Sequence, residues 1–239
     1  MALESFMEGK VVPSQRGQFF LIEKPFGQFE ESPIKQYIAR HKLSSRHLSH
    51  FPILKDSRSL CFDIETCGLS PKDPLFAIFF CELSQKPACS CLFARDYSEE
   101  EAVLRHFFGQ IMPGYNSFIS YNGASFDLPR IAERAKQNGV AMDGSGNPDI
   151  GNIMGDRHID LYPLARRKLR NRLPDAKLST IEKMAFRYSR KGDNAGAEVP
   201  RQYKLYVGGE PNEEKMTRVI SHGMSDTLTL VAVLDYLCH

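Results

Sequence analysis

An apolar run at 60–62 ends in two acidic residues, Asp63 and Glu65, that are separated by a single position. Side chains two positions apart on a strand point to the same face of a sheet, so the sequence predicts two carboxylates projecting together from a buried strand. Adjacent anions repel each other and lose hydration there unless protons or cations compensate. A divalent ion with hard oxygen ligands, Mg²⁺ or Mn²⁺, is one explanation. The alternative is that the strand has ended and that both acids are solvated.

Two later segments supply further acids. The apolar stretch 118–121 runs into a turn signal at 122–126 and then into a helical pattern, which predicts Asp127 at or beside a helix N-terminus. Near the end of the chain, apolar residues recur at helical spacing over 219–237. His222 and Asp226 stand four residues apart in that stretch, so they share one helix face.

Three motifs in this order resemble a known family. The segments "FDIETCGL" at 62–69, "SYNGASFDLPRI" at 120–131 and "SHGMSDTLTL" at 221–230 are similar to the three exonuclease motifs of the DEDD superfamily, which has a ribonuclease H-like fold. The resemblance is to its YprB-like branch in particular, and it covers roughly residues 58–238. That branch also has a segment like "HIDLYPLARR" at 158–167 and a Gly-x3-Pro-x2-Tyr pattern like that at 196–203.

The resemblance implies a metal-dependent 3'-5' exonuclease that hydrolyses phosphodiester bonds of DNA or RNA. Asp63 would bridge two ions of Mg²⁺ or Mn²⁺, with Glu65 and Asp226 completing the first site and Asp127 holding the second. Two ions at such a site activate the attacking water and stabilise the leaving 3'-oxygen. The resemblance also implies contacts with the substrate. Thr66 would hydrogen-bond the terminal nucleotide, Leu69 would wedge against a base, and Asn122 would also bind nucleic acid; a strand-end turn and core packing are the alternatives for Thr66 and Leu69.

His222 departs from the family pattern. One DEDD subgroup has a histidine five positions before the last aspartate and another has a tyrosine four before it, whereas this chain has a histidine four before Asp226. Four residues turn a helix about 40° past one full turn, so the two side chains share a face. Because imidazole titrates near neutral pH, His222 is a candidate general base. The alternative is a histidine that only hydrogen-bonds an acid or a phosphate.

A basic cluster lies between the second and third motifs. The whole chain has 31 basic and 29 acidic side chains, but five of the bases fall within the seven residues 166–172. Arg166, Arg167 and Lys168 open this cluster, and they are candidates to follow a phosphate backbone. The alternative is an exposed helix face that arginine keeps soluble.

The order of predicted elements is that of an α/β fold. A hairpin and a short helix form an N-terminal extension over 1–57, and the ribonuclease H-like domain is predicted over 58–239. In that domain three strands precede alternating helices and strands, which favours a mixed sheet flanked by helices. Ser179 and Glu182 have the spacing of a capping box in front of a further helix. Residues 190–213 are rich in glycine and polar residues and are predicted to be irregular.

Composition bounds the remaining possibilities. No run approaches the ~20 apolar residues of a membrane span, and the N-terminus lacks the basic-then-apolar pattern of a signal peptide. We therefore expect a cytoplasmic protein with no membrane partner, and its six cysteines as buried free thiols. The histidines at 41, 47 and 50 are expected to be solvated. Two rivals to a general exonuclease stay open: a nuclease that trims structured ends, and a nucleic-acid-binding module of the same fold that has lost turnover.

Overall fold

A seven-stranded mixed sheet is the centre of the computed structural model, which describes residues 3–41, 51, 54, 58–140, 155–190 and 198–239. The strands are β1 (Lys10–Ser14), β2 (Gly17–Lys24), β3 (Ser59–Thr66), β4 (Leu75–Glu82), β5 (Cys89–Phe93), β6 (Ser117–Ser120) and β7 (His158–Asp160). They lie in the order β1-β2-β5-β4-β3-β6-β7. β6 runs parallel to β3 and to β7, and the other neighbours are antiparallel. The predicted mixed α/β architecture is confirmed.

Helices cover the sheet. Within the described ranges they are α1 (Pro33–Arg40), α2 (Glu100–His106), α3 (Asp127–Gln137), α4 (Leu161–Leu169), α5 (Leu178–Ala185), α6 (Val199–Val207) and α7 (Glu213–Cys238). The hydroxyl of Ser32 caps α1 by accepting a hydrogen bond from the backbone N–H of Lys35 at 3.2 Å. None of these helices is long and apolar enough to cross a membrane.

The expected capping box at Ser179 is wrong. Helix α5 already begins at Leu178, after an N-cap at Lys177, so Ser179 lies inside the first turn. The side chain of Glu182 turns inward instead, where it accepts hydrogen bonds from Arg190 and Thr229. The carboxylate of Glu182 therefore hydrogen-bonds to these two side chains and not to the backbone at the start of α5.

The expectation of irregular structure over 190–213 is also wrong in part. Residues 191–197 lie outside the described residues, but 199–207 form helix α6. This helix is held by Tyr203, which is fully buried, stacks on Phe76 at a ring distance of 4.0 Å and donates a hydrogen bond to the carbonyl of Ala94 at 2.9 Å. Tertiary packing of one aromatic side chain thus stabilises a helix whose polar, glycine-flanked sequence does not predict it.

The central strands are buried on both faces, which explains the continuous apolar run of β4. Helix α7 crosses β3, β4 and β5. It approaches closely at Gly223, where a Cβ atom would lie 2.4 Å from the ring of Phe79. Phe79 pairs with Asp63 across the β3–β4 ladder. The glycine therefore lets α7 bring its polar face up to the acidic end of β3.

The N-terminal hairpin and α1 form as predicted. Strand β2 pairs with β5, so the hairpin extends the same sheet, and α1 packs on α7. The domain boundary at 57/58 stays a prediction, because residues 55–57 lie outside the described residues. All six cysteines are buried free thiols.

Candidate functional site

Asp63 and Glu65 project from one face of β3, while Ile64 between them is buried on the other face. A β-bulge follows directly, between Glu65 and Thr66, and ends the regular pairing with β4. Burial raises the pKa of Asp63 well above its ordinary range, and the charges of Asp127, Asp226 and Glu65 raise it further. All four predicted acids therefore act on one another electrostatically at this end of the strand.

Asp127 is the first residue of α3, as predicted. The loop before it is fixed by Asp160, whose carboxylate accepts hydrogen bonds from the backbone N–H groups of Asn122 at 2.8 Å and Ala124 at 3.1 Å. Gly123 makes room within this loop, because a Cβ there would lie 2.0 Å from Oγ of Ser120 and 3.2 Å from Oδ2 of Asp127.

The acid set fits a divalent cation. Asp127 is 2% exposed, and its Oδ1 has no hydrogen-bond partner among the described residues. Burial raises the pKa of Asp127 to about 7 and that of Glu65 to about 8. None of the carboxyls of Asp63, Glu65 and Asp127 forms an ion pair among the described residues, and their donor atoms are the hard oxygens that Mg²⁺ and Mn²⁺ prefer.

Asp226 differs from the other three acids because it is paired with a cation. Arg190 forms ion pairs with both Asp226 and Glu182, and its Nη1 also lies 3.1 Å from Nδ1 of His222. Glu182 is 2% exposed and also accepts a hydrogen bond from Thr229 at 2.7 Å. A chain of ion pairs, Glu182–Arg190–Asp226, therefore runs from helix α5 to the acidic site, and only its Glu182 end is fully buried. A cleft of about 350 Å³ opens beside Arg190 and Glu182.

His222 lies next to Asp226, with Nε2 at 3.2 Å from Oδ2. A guanidinium N–H can only donate, so Nδ1 of His222 accepts from Arg190 and the ring proton is assigned to Nε2, which then donates to Asp226. In this arrangement both ring nitrogens hold protein groups. To act as a base, His222 must first release Arg190.

The three residues that are predicted to contact the nucleotide differ in exposure, hydrogen bonding and backbone conformation. The hydroxyl of Thr66 donates to the carbonyl of Gly68 at 2.7 Å and is 4% exposed, in keeping with its alternative role in a strand-end turn. Leu69 is 79% exposed, which leaves its side chain available to a base. Asn122 has a φ of 65°, a left-handed conformation that asparagine tolerates better than most residues.

The basic cluster lies on helix α4, and one of its members contacts the C-terminal end of α7. Arg166 and Arg167 are exposed on α4, and Nζ of Lys168 donates to the carbonyl of Leu237 on α7. Leu237 follows Asp226 by eleven residues, which corresponds to about 16 Å along the helix axis. The structure therefore holds Lys168 at the C-terminal end of α7, away from Asp226.

Sequence reasoning missed three residues that organise the site. Arg190 and Glu182 lie outside every motif, and Asp160 ends β7 within the "HIDLYPLARR" segment. An available signal for Glu182 was its position among the apolar residues of α5, where a lone acid needs a partner. The sequence carries no corresponding signal for Arg190, whose role depends on tertiary contacts.

Comparisons with known proteins agree with this geometry. Residues 60–238 match the model of an RNase H superfamily family. The uncharacterised protein YprB of Bacillus subtilis (strain 168) is 26% identical over 157 residues, which cover 60% of this chain and 36% of YprB. The family B DNA polymerase of the hyperthermophilic archaeon Pyrobaculum calidifontis superposes with a TM-score of 0.58 at 19% identity, over 76% of this chain and 24% of the polymerase. The chain thus spans about a third of YprB and a quarter of the polymerase. The chain belongs to the RNase H superfamily.

Proposed function

We propose that this protein is a metal-dependent 3'-5' exonuclease that hydrolyses phosphodiester bonds of DNA or RNA. The observation that carries the proposal is the buried Oδ1 of Asp127, which lacks a hydrogen-bond partner among the described residues and lies in a group of mutually interacting acids. A nuclease-type fold supports it, because RNase H-like nucleases generally use divalent metal ions and act on nucleic acids.

The proposed ligands are Asp63, Glu65, Asp127 and Asp226, holding two ions of Mg²⁺ or Mn²⁺. Such ions, when bound, lower the pKa of water and stabilise a leaving oxygen. The chain itself orients these groups: β3 fixes two acids on one face, and the Asp160-anchored loop fixes the third. His222, which hydrogen-bonds Asp226, is proposed to take the proton of the attacking water once Arg190 releases its Nδ1.

Nucleic-acid contacts are proposed for two regions. Thr66, Leu69 and Asn122 would contact the terminal nucleotide beside the acids. A separate surface, consisting of Arg166, Arg167 and Lys168, would contact the phosphate backbone farther from the cleaved bond. A preference for structured ends is a variant of this function, and the wedge position of the exposed Leu69 favours it. The cytoplasmic location stays a prediction.

A nucleic-acid-binding module without turnover is the second candidate. The ion pair between Arg190 and Asp226 favours it, because a guanidinium can neutralise an acid that a metal would otherwise occupy. Titration with Mn²⁺ separates the two readings. An active site should bind two ions, whereas a module in which Arg190 replaces one metal should bind one or none.

The direct test is incubation with end-labelled single- and double-stranded DNA and RNA, in Mg²⁺, Mn²⁺ or EDTA. We expect mononucleotides released from the 3' end, with no product in EDTA. Asp63→Asn should abolish release, and Asp156→Asn, which changes an exposed aspartate on the surface, is the matched control. Turnover by Asp63→Asn close to that of the unmodified protein would refute the two-ion proposal.

A further inference from the structure

A second group of metal-ligating side chains lies at the other end of α7. One ligand atom from each of His41, Asp235 and His239 lies within 4.8 Å of the other two. Nδ1 of His41 is 3.8 Å and Nε2 of His239 is 3.6 Å from Oδ2 of Asp235. Asp235 follows Asp226 by nine residues, or about 14 Å along the helix, so this group is separate from the four acids.

Tyr37 holds two members of the group in place. Its hydroxyl donates to Oδ2 of Asp235 at 2.9 Å. Its ring stacks on the ring of His41, with 3.9 Å between centroids and 11° between planes. Phe186 packs edge-on against the same tyrosine at 4.9 Å. Metal-ligating carboxylates and imidazoles are commonly oriented by such outer contacts, which also set their affinity for the ion.

The exposure of the three ligands suits a bound ion. The side chain of Asp235 is 3% exposed, and a buried carboxylate is favoured as a ligand because a bound cation stabilises its charge. The side chains of His41 and His239 are 44% and 43% exposed, so an ion can enter from solvent and water can supply a fourth ligand. His41 is exposed as expected, but one face of its ring is stacked on Tyr37; the expected solvated histidines at 47 and 50 lie outside the described residues.

The ligand types and distances select the metal. Zinc with nitrogen and oxygen ligands has bonds of about 2.0 to 2.2 Å, which places the ligand atoms of a tetrahedron about 3.4 Å apart. The two distances to Asp235 exceed that value by a few tenths of an ångström, and the two histidine nitrogens lie within 4.8 Å of each other, so rotation of the exposed imidazoles has to bring the three atoms together. Two imidazoles and one carboxylate favour Zn²⁺ over Mg²⁺, which prefers oxygen ligands alone.

We propose that His41, Asp235 and His239 bind one Zn²⁺ ion, which fastens the end of α1 to the C-terminal part of α7. This site is independent of the proposed nuclease activity. Its consequence is mechanical: α7 carries His222 and Asp226 toward the acids, and the ion would tie that helix to the N-terminal extension.

Co²⁺ is the probe for the test, because four-coordinate Co²⁺ absorbs visible light strongly and six-coordinate Co²⁺ weakly. Untagged protein, freed of metal with EDTA and then dialysed into excess Mg²⁺ to fill oxygen sites, is titrated with Co²⁺. We expect one equivalent to produce the strong bands. His41→Ala and His239→Ala should abolish them, whereas Tyr37→Phe should keep them with an affinity lower by about tenfold.

His222→Ala is the matched control, because it removes a histidine that is also four residues from an aspartate on α7. The bands should survive in it. In the same excess of Mg²⁺, Zn²⁺ at about a hundredfold its Kd should also raise the Tm by roughly 5 to 10 °C, and His239→Ala should remove this shift. Weak bands in the folded wild-type protein, or strong bands that persist in both His41→Ala and His239→Ala, would overturn the proposal.

Discussion

Nη1 of Arg190 forms an ion pair with Oδ1 of Asp226, the acid that we assign to the first metal position. Burial acts to raise the pKa of Asp226, but the hydrogen bond from His222 and the charge of Arg190 outweigh it, so the pKa is lowered. The pKa values of Asp63, Glu65 and Asp127 are raised instead. Among the described residues, Asp226 is thus the one acid of these four that forms an ion pair with an arginine.

The first prediction is that Arg190 competes with the metal. Arg190→Gln should bind Mn²⁺ about tenfold more tightly, because Asp226 no longer exchanges one cation for another; tenfold corresponds to about 1.4 kcal/mol. Calorimetric titration with Mn²⁺ measures this. The same substitution leaves Glu182 buried without its arginine, so the double variant with Glu182→Gln is needed to separate the two effects.

Arg187→Gln is the control for Arg190→Gln, since it changes an exposed arginine of the same segment. It should bind Mn²⁺ as the unmodified protein does. If the folded Arg190→Gln variant binds Mn²⁺ more weakly, Arg190 holds Asp226 in the orientation that the metal needs, and competition is wrong.

The second prediction concerns pH. Without metal, the free energy of unfolding should fall as pH rises from about 5 to about 8. The folded protein retains protons on Asp127 and Glu65, whose pKa values are raised to about 7 and about 8, whereas the unfolded chain releases them near its ordinary values of about 4. The loss continues as pH rises through the pKa of Glu65, and it is complete only when Asp127 and Glu65 are ionised in both states.

Urea unfolding in EDTA at several pH values measures this slope. Asp63→Asn should flatten it and raise the Tm at pH 8, because one repelling carboxylate is removed. Mg²⁺ should stabilise the unmodified protein most at high pH, since binding then displaces the fewest protons. A free energy of unfolding in EDTA that is flat or rises over this range, equally in both proteins, would contradict the proposed crowding of acids.

Much of the fold follows from local patterns. The alternation of β3, the continuous apolar run of β4 and the turn signals before α3 are short-range features, and each element lies close to its predicted place. Helix α6 does not follow from them, because its stability depends on Tyr203 packing against Phe76, two residues far apart in sequence.

In the candidate site, too, some residues follow from local sequence patterns and others depend on tertiary contacts. Asp63, Glu65 and Asp127 are predicted ligands whose positions follow from strand periodicity and a helix start, without long-range information. Arg190 was missed because only the packing of α5 against α7 brings it to Asp226. For the basic cluster, the sequence suggests a role that the contacts of the structure do not by themselves support. Its composition suggests phosphate binding, yet Lys168 is held at the far end of α7 by the carbonyl of Leu237.

That location gives the third prediction. If Arg166 and Arg167 contact phosphates, their replacement by alanine should lower the log-log salt slope of duplex binding by about 0.9 for each lost contact. Lys168 is left in place to preserve its contact with α7. Arg201→Ala with Lys215→Ala removes two other exposed bases as the control and should not change the slope. Equal slopes in both double variants would assign the cluster to solubility alone. Because Lys168 is held at Leu237, about 16 Å along α7 from Asp226, binding should require duplexes long enough to reach that end of the helix.

The fourth prediction uses the exposure of Leu69. Because 79% of the residue is exposed, Leu69→Ala should not change the Tm, but it should raise KM for duplex ends by about tenfold. Burying a leucine against a base stabilises by about 1.5 to 3 kcal/mol at most, and a wedge contact achieves part of this. Val11→Ala, an exposed apolar residue on β1, is the control. An unchanged KM on both blunt and recessed ends would remove Leu69 from the substrate site.

The last prediction separates a base from a bridge at His222. His222→Ala should lower kcat by about 10² to 10⁴ with little change in Mn²⁺ affinity, the range expected when a positioned base is lost. His222→Gln can still accept from Arg190 and donate to Asp226, so it preserves the bridge but cannot take a proton at neutral pH. If His222 is the base, both variants should be equally slow. If it only bridges Arg190 and Asp226, the glutamine variant should recover most of the rate.

His222→Tyr adds a third comparison, because the DEDD resemblance implies a tyrosine at this spacing in one subgroup. Partial recovery of the rate in this variant would indicate that the helix directs position 222 toward the attacking water. Full activity of His222→Ala at neutral pH would show that neither role limits the reaction.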